Sequence, residues 1–332
     1  MVSAGKCNTA AHPRVSVLIP LYNREKVVAE TIRSVLRQTF ADFELLICDD
    51  CSTDRSVEVV ESFTDPRIRL IRNEVNMGSS ETRNRLMDEA RGEYCAILDS
   101  DDIAFDYRLK VQVEFLDSHP EIDACSGPIA IMDGEGGETG RVWYKKPYGH
   151  DAVKVRTLFC CALAQTALMF RRGEVQKAGI RYVPGPANDL GFFKSAVHAL
   201  RFENLGIPLV KYRVWPSQMS TEKAGQRSRA LEHLYYQYDL LGLALTDADR
   251  QVLGIVVTGS PVPPEYADKF ADLSVRIAMA NRRTSVFDQQ TLVAYMSDMY
   301  RRTVKEAKKL GLMTYMRYVC KCREFSKLLA SC

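Results

Sequence analysis

The densest chemistry in the chain is Asp99-Ser100-Asp101-Asp102. Three carboxylates within four positions repel one another unless a cation is bound. Hard divalent ions take oxygen ligands, and Mg²⁺ or Mn²⁺ is commonly shared between one or two carboxylates and a diphosphate. The competing use is local: Asp101 or Asp102 could cap a helix predicted over Tyr107–Leu116. A second acidic cluster is Asp49-Asp50-Cys51-Ser52-Thr53-Asp54. Ser52 or Thr53 suits the cap of the next helix, whereas adjacent carboxylates accept from the N–H and O–H donors of a nucleobase and ribose. Cys48 and Cys51 form a C-x-x-C, but the flanking acids would raise a thiol pKa, and no second cysteine pair completes a metal set.

Both clusters need a scaffold that brings them together. Val15–Ile19, Phe43–Cys48, Ile68–Ile71 and Tyr94–Leu98 are short apolar runs without alternation, which suits strands buried on both faces. Helical spacing fills the intervals over Glu25–Gln38, Thr53–Phe63 and Glu81–Ala90. This order predicts right-handed βαβ units in an α/β fold with a doubly wound, mostly parallel sheet. Tyr22-Asn23-Arg24 and the two acidic clusters each follow a strand. They therefore fall on the carboxyl edge of the sheet, where ligands bind.

After His119-Pro120 the pattern is mixed. Ala124–Met132 reads as one strand leading into a Gly-rich hairpin turn or mobile loop, Gly134–Gly140. Ala164–Phe170 reads as another strand, and Asp189–Leu200 as a helix. Ile207–Val214 reads as extended, and Pro208 predicts a sheet-edge position for it. Arg227–Leu245 is helical, and the link Ser260-Pro261-Val262-Pro263-Pro264 precedes a remainder that reads as helices only.

Composition narrows the class. The chain has 332 residues, 46% hydrophobic and 26% charged, which excludes disordered, collagen-like and disulfide-scaffold proteins. A net charge of +3 gives no bulk argument for nucleic acid. The charge is uneven, however: residues 301–327 hold nine basic and two acidic side chains. There Val304, Ala307, Leu312, Met316, Val319 and Cys320 recur at roughly helical spacing, so peripheral contact with an anionic membrane is one expectation and packing on the main domain is the other. Met1–Arg14 lacks the apolar core of a signal peptide, and no apolar run reaches the roughly 18 residues of a membrane span. Ten scattered cysteines then read as mostly reduced thiols in a cytoplasmic protein, at the inner membrane face if the basic tail docks there. The five histidines have no mutual ligand spacing.

Four segments together carry a family resemblance. VSVLIPLYNRE (Val15–Glu25), SVLRQTFADFELLICDDCSTD (Ser34–Asp54), NMGSSETRN (Asn76–Asn84) and LDSDD (Leu98–Asp102) resemble, in order and spacing, the donor half of inverting family 2 glycosyltransferases. The resemblance implies a glycosyltransferase A-like fold: a catalytic domain over 14–220 and a helical C-terminal extension over 221–332. Within the former, 14–120 would bind the nucleotide sugar and 121–220 the acceptor. It also implies that Pro20, Tyr22 and Asp50 surround the base and ribose, and that Arg83 approaches the nucleotide. Ser100 would lie against the donor, and Asp99 and Asp101 would hold Mn²⁺ or Mg²⁺. The base would be Asp189, where Asn188 replaces the usual Glu of an acidic pair. In FENLGIPLVKYRVWPSQMS (Phe202–Ser220), Trp215 stands where such families often carry His, and could stack on a sugar.

The expected reaction is one in-line displacement on a nucleoside diphosphate sugar, with UDP favoured, by a hydroxyl of a glycan or lipid-linked glycan. A single attack inverts configuration and forms a β-linkage from an α-linked donor. Two alternatives differ in class. A sugar nucleotidylyltransferase would need a Gly-rich loop where Pro20-Leu21-Tyr22-Asn23 stands. A catalytically weakened binding subunit would account for Asn188 and Trp215.

Overall fold

The computed structural model describes residues 12–144, 146, 148–185, 187–215, 223–257, 260–308, 316, 321, 327–329 and 331, without the side chains of 223–228. The first half alternates as expected: β1 (Val15–Leu21), α1 (Val28–Leu36), β2 (Phe43–Asp49), α2 (Ser56–Glu61), β3 (Ile68–Arg72), α3 (Gly78–Glu89) and β4 (Tyr94–Ile97). A short β5 (Ile103–Ala104) and α4 (Arg108–Ser118) follow. Then come β6 (Ala124–Ser126), β7 (Ile129–Met132), β8 (Glu138–Trp143), α5 (His150–Arg156), β9 (Met169–Arg171), α6 (Arg172–Lys177), α7 (Asn188–Ala199), β10 (Phe202–Asn204) and β11 (Val210–Arg213). The described remainder is helical: α8 (Lys223–Leu240), α9 (Asp247–Val256), α10 (Ala267–Thr284) and α11 (Gln289–Ala307).

The main sheet has seven strands in the order β10-β6-β9-β4-β1-β2-β3. All its pairs are parallel except those of β9, which runs antiparallel to β4 and β6. Strand side chains alternate between faces, so Val17, Ile19, Leu45 and Ile47 build one core layer while Leu18, Leu46 and Cys48 build the other. Burial on both faces is why these runs show no polar alternation. Cys48 is one such core residue, its thiol pushed up to about 11 chiefly by burial, which removes the redox reading of the C-x-x-C. Beside this sheet lies a four-stranded one, β5-β11-β7-β8.

Three sequence expectations change. Ala124–Met132 is two strands in different sheets, because the chain bends at Gly127-Pro128. A side chain at Gly127 would meet the Leu209 side chain at 2.7 Å and the Ile207 carbonyl at 2.9 Å. The Ala164–Phe170 segment opens as a 3₁₀ turn, Gln165–Ala167, and only then becomes β9. The Pro208 segment is not at an edge: β11 begins after the proline and lies between β5 and β7. Gly134–Gly140 lies in the β7–β8 hairpin, as its glycines suggest.

Close approach of backbones sets one strict demand. A Cβ at Gly92 would sit 2.5 Å from the Ser16 nitrogen and 2.9 Å from the Tyr94 oxygen. Gly92→Ala should therefore destabilise by about 2 kcal/mol or more, since β1 and β4 must part to admit it. A urea midpoint equal to that of the unsubstituted protein would refute this.

The helical extension has its own core, built around Tyr238, Leu253, Phe270, Ile277 and Met296 and reaching Phe159 of the sheet domain. Thr246 and Asp249 form a capping box at α9, and Asp288 caps α11. Helix α8 packs on α7, and α11 on α5. Of the basic segment, Arg301–Ala307 completes α11 with Val304 and Ala307 buried. Leu312, Val319 and Cys320 lie outside the described residues. No described helix is long and apolar enough to cross a membrane.

Candidate functional site

The carboxyl edges of β1, β2 and β4 meet as the sequence predicts, and the first two loops are cross-tied. The Asn23 N–H donates to Ser52 Oγ (3.0 Å), and the Thr53 N–H donates back to Asn23 Oδ1 (2.8 Å). Ser52 thus locks a loop rather than capping α2, which has no side-chain cap bond. Pro20 lies opposite Cys48 within the sheet, and Tyr22, 44% exposed, stands at the rim. Asp50 is used by the fold. Its Oδ1 accepts from Asn73 Nδ2 (2.7 Å) and the Met77 N–H (2.8 Å), and its Oδ2 accepts from the Gly78 N–H (2.8 Å). A carboxylate there suits the positive N-terminus of α3.

In the 99–102 loop the three acids take different environments. Asp102 is fully buried; Thr166 donates to its Oδ2 (2.6 Å) and the Arg213 N–H to its Oδ1 (2.9 Å). Burial, then the charges of Asp101 and Asp99, push its carboxyl well above the usual range. Asp101 Oδ2 receives Arg24 Nε (3.2 Å) and Trp215 Nε1 (3.1 Å). Burial raises the Asp101 carboxyl too, against the lowering effect of Arg24. Asp99 Oδ1 receives Arg83 Nη2 at 2.6 Å. Neither Asp101 nor Asp102 caps α4, whose first flanking residue, Tyr107, makes no side-chain cap bond. Ser100 is buried, and its carbonyl accepts from Thr31 Oγ1 (3.0 Å).

Arg83 joins this edge to the second half of the domain. Its side chain is 9% exposed, and its guanidinium lies 5.7 Å from the centre of the Tyr182 ring. Burial opposes its charge, but Asp99 and, more weakly, Asp189 sustain it and raise its pKa. Asp189 is the second residue of α7, which Asn188 opens after Ala187, whose φ of 55° turns the chain into the helix. Asn188 donates through Nδ2 to Ser79 Oγ (2.8 Å) and Ser80 Oγ (3.2 Å), pinning the start of α7 to the start of α3. The Asn84 side chain and Tyr182 backbone exchange two further bonds, of 3.0 and 2.9 Å.

Several residues of the site are not singled out by sequence reasoning. Arg213, almost fully buried, donates to the Asp101 carbonyl (2.9 Å), the Gly134 carbonyl (3.0 Å) and Glu30 Oε2 (2.7 Å). It clamps the 99–102 loop to the β7–β8 hairpin. Its signal is present in Tyr212-Arg213-Val214, but a buried role has no local signature. Burial first, then the charges of Asp102, Asp99, Asp101 and Asp189, push the Tyr212 phenol up. Tyr144 also feels Asp189, although burial and Cys161 dominate its upward shift.

Trp215 is held firmly. A Cβ on Gly134 would meet its ring at 3.0 Å, and the Arg213 guanidinium lies 5.8 Å from its centre. Indole donates and has no lone pair for a metal. Trp215→Phe keeps an aromatic ring but removes the N–H and the fused five-membered ring that carries it. Unfolding free energy should fall by about 1 kcal/mol or more, and an unchanged denaturant midpoint would show that neither the bond to Asp101 nor the lost packing contributes.

Asp99 and Asp101 fit a hard divalent cation by their chemistry: two oxygen donors from one loop, with burial of Asp101 making its charge costly alone. No group of three or more His, Cys, Asp or Glu side chains suited to a metal occurs among the described residues. Two carboxylates plus diphosphate oxygens are the usual Mg²⁺ or Mn²⁺ set.

The sequence model of Glycosyl transferase family 2 matches residues 16–201, more than half of the chain. The chain belongs to glycosyltransferase family 2. This glycosyltransferase is 42% identical over 102 residues to the Escherichia coli UDP-Glc:alpha-D-GlcNAc-diphosphoundecaprenol beta-1,3-glucosyltransferase WfgD, covering 31% of the chain and 40% of that protein. The chain spans less than half the length of the first curated relatives it matches. Staphylococcus aureus TarS 1–349 in complex with UDP-GlcNAc shares the fold at TM-score 0.57 and 18% identity, over 96% of this chain and 91% of that one. The mannosyltransferase PcManGT from Pyrobaculum calidifontis, in complex with GDP-Man and Mn²⁺, does so at TM-score 0.54 and 15% identity, over 96% and 85%. The mixed α/β fold with a central, mostly parallel sheet and a helical C-terminal region is thus that of glycosyltransferase A-type enzymes.

Proposed function

We propose that residues 14–220 catalyse inverting transfer of a sugar from a nucleoside diphosphate sugar, with UDP favoured, to a hydroxyl of a glycan or lipid-linked glycan. The product of an α-linked donor is a β-linkage. The observation that carries this reading is Arg83, which pairs with Asp99 and also feels the charge of Asp189. One buried cation thereby connects the acidic loop at the end of β4 to the carboxylate at the start of α7. The relative named as a UDP-Glc-dependent β-1,3-glucosyltransferase and the fold neighbour holding UDP-GlcNAc support the donor class.

In this mechanism Asp189 accepts the proton of the acceptor hydroxyl as that oxygen attacks the anomeric carbon. Pro20, Tyr22 and the Asp50 loop border the base and ribose, with Asp50 acting by shaping the 73–78 turn. Arg83 faces the diphosphate, Ser100 lines the donor, and Trp215 borders the sugar while holding Asp101. Asp99 and Asp101 would hold a divalent cation, Mn²⁺ or Mg²⁺, which when bound would neutralise negative charge developing on the departing diphosphate. The fold neighbour in complex with Mn²⁺ supports that choice.

Placement of this chemistry in the cytoplasm, with the basic 301–327 segment against the inner membrane face and residues 221–332 as a helical extension, is part of the same proposal. The deciding experiment offers UDP-, GDP- and dTDP-linked sugars with Mn²⁺ and measures nucleotide release. Release from a UDP-sugar supports the reading, and silence with every donor refutes it.

A further inference from the structure

Asp189 lies in the first turn of α7, the part of a helix whose N–H groups lack partners within the helix and which frays most readily. Ala187 flanks that turn and has no side-chain acceptor with which to cap it. Asn188 ties one flank of the turn to Ser79 and Ser80 of α3. The other flank is covered by α8, which belongs to the helical extension and supplies no group to the proposed transfer.

The contact runs along α7. Leu190, next to Asp189, packs with Ala230 and Leu234 of α8 and with Val257, just after α9. Further on, Gln237 Nε2 donates to the Lys194 carbonyl (2.9 Å), and Gln237 Oε1 meets His198 Nε2 (2.7 Å). Ala230, His233, Leu234 and Gln237 recur at helical spacing, so a single face of α8 makes these contacts.

Two glycines let α8 approach on either side of Asp189. Before it, Gly185 has φ of 116°, and a Cβ there would lie 3.3 Å from Arg229 Nε. After it, a Cβ on Gly191 would lie 3.1 Å from His233 Nε2 and 3.2 Å from His233 Cε1. Gly191 is inside α7, where the backbone needs no glycine and glycine weakens the helix. The imidazole against it is the physical reason for a residue without a side chain. His233 is 5% exposed, so its ring has little room to move aside.

A general base must meet the acceptor proton at hydrogen-bond distance, and small misplacements of such a group cost rate steeply. We propose that His233 is a positioning residue for Asp189: its ring, seated on Gly191, fixes the first turn of α7 and makes the helical extension part of the catalytic unit. This rests on the reading of Asp189 as the base and deepens it.

The test uses the full chain with Mn²⁺ and the UDP-sugar most active in the donor panel, well below the melting transition. It measures kcat for UDP release per native protein, alongside Kd for UDP. Gly191→Ala pushes the imidazole and α7 apart, so kcat should fall at least about fivefold while UDP affinity holds. His233→Ala removes the support and should cost a similar factor. In the double variant the added methyl faces the space that the imidazole leaves, so kcat should recover several-fold over Gly191→Ala, as expected for residues in contact. His233→Gln carries an amide to the place of Nε2 and should keep most of the turnover; it stands in for His233→Ala if that variant does not fold. Turnover within about twofold of the unsubstituted protein in either single variant overturns the proposal. So do losses that merely track the native fraction, an equal loss of UDP affinity, or additive losses in the double variant. Turnover that survives in Asp189→Asn, assayed in parallel, would instead overturn the reading of the base.

Discussion

Asp189→Asn should lower turnover by about 10²-fold or more, with UDP affinity little changed. Asparagine keeps the shape of the side chain and its place at the start of α7, but it cannot accept a proton. The groups assigned to the donor lie on β1, on the loops after β1, β2 and β4, on α3 and just after β11, and none lies on α7, so donor binding should report little loss. Asn188 is already tied to Ser79 and Ser80, and has no basic atom to substitute for its neighbour. The measurement is kcat for transfer alongside Kd for UDP. Turnover that survives in Asp189→Asn would place the base elsewhere and undo the reading of the second half of the domain.

The second large effect is expected at Asp101. Asp101→Ala should abolish transfer, a loss of at least about 10²-fold by the scale of electrostatic stabilisers, and EDTA should silence the unsubstituted protein until Mn²⁺ is restored. The substitution leaves Arg24 and Trp215 without their shared carboxylate, so circular dichroism and a melting curve must accompany the assay. The EDTA arm leaves the protein unaltered. Full activity in EDTA would sink the metal assignment, and Asp99 and Asp101 would then be read as anchors for Arg83, Arg24 and Trp215.

The arrangement explains why three neighbouring acids need not share a role. Asp102 spends both oxygens on Thr166 and Arg213, beneath the surface of the site. Asp99 and Asp101 each meet an arginine at the rim, Arg83 and Arg24. Substituting Asp102 should therefore act through the position of the whole loop, whereas changes at Asp99 and Asp101 act on the charge that the site presents.

Much of the scaffold was legible from local pattern. Strands buried on both faces must be apolar at successive positions, so Val15–Ile19 and Phe43–Cys48 announce a parallel sheet without further information. A parallel sheet with helical crossovers brings successive strand ends to one edge, so Tyr22, Asp50 and Asp99–Asp102 were placed together by chain order. Reading Ala124–Met132 as one strand failed because its bend depends on contact between Gly127 and Leu209, which no local window contains.

What the tertiary structure alone decided is the partner of each polar group. The bonds that distinguish Asp102 from Asp101 come from Thr166, 64 positions away, and from Arg213 and Trp215, more than 100 positions away. Asp50 likewise found its donors at Asn73, Met77 and Gly78. A carboxylate facing a cation, a backbone N–H or solvent is written with the same letter. The amino-acid order determined which strand ends carry acids, because that follows from burial and the period of the chain. Which acid stays at the rim depends on donors delivered by distant segments, and those are set only when the second sheet and the helix bearing Asp189 close over the first.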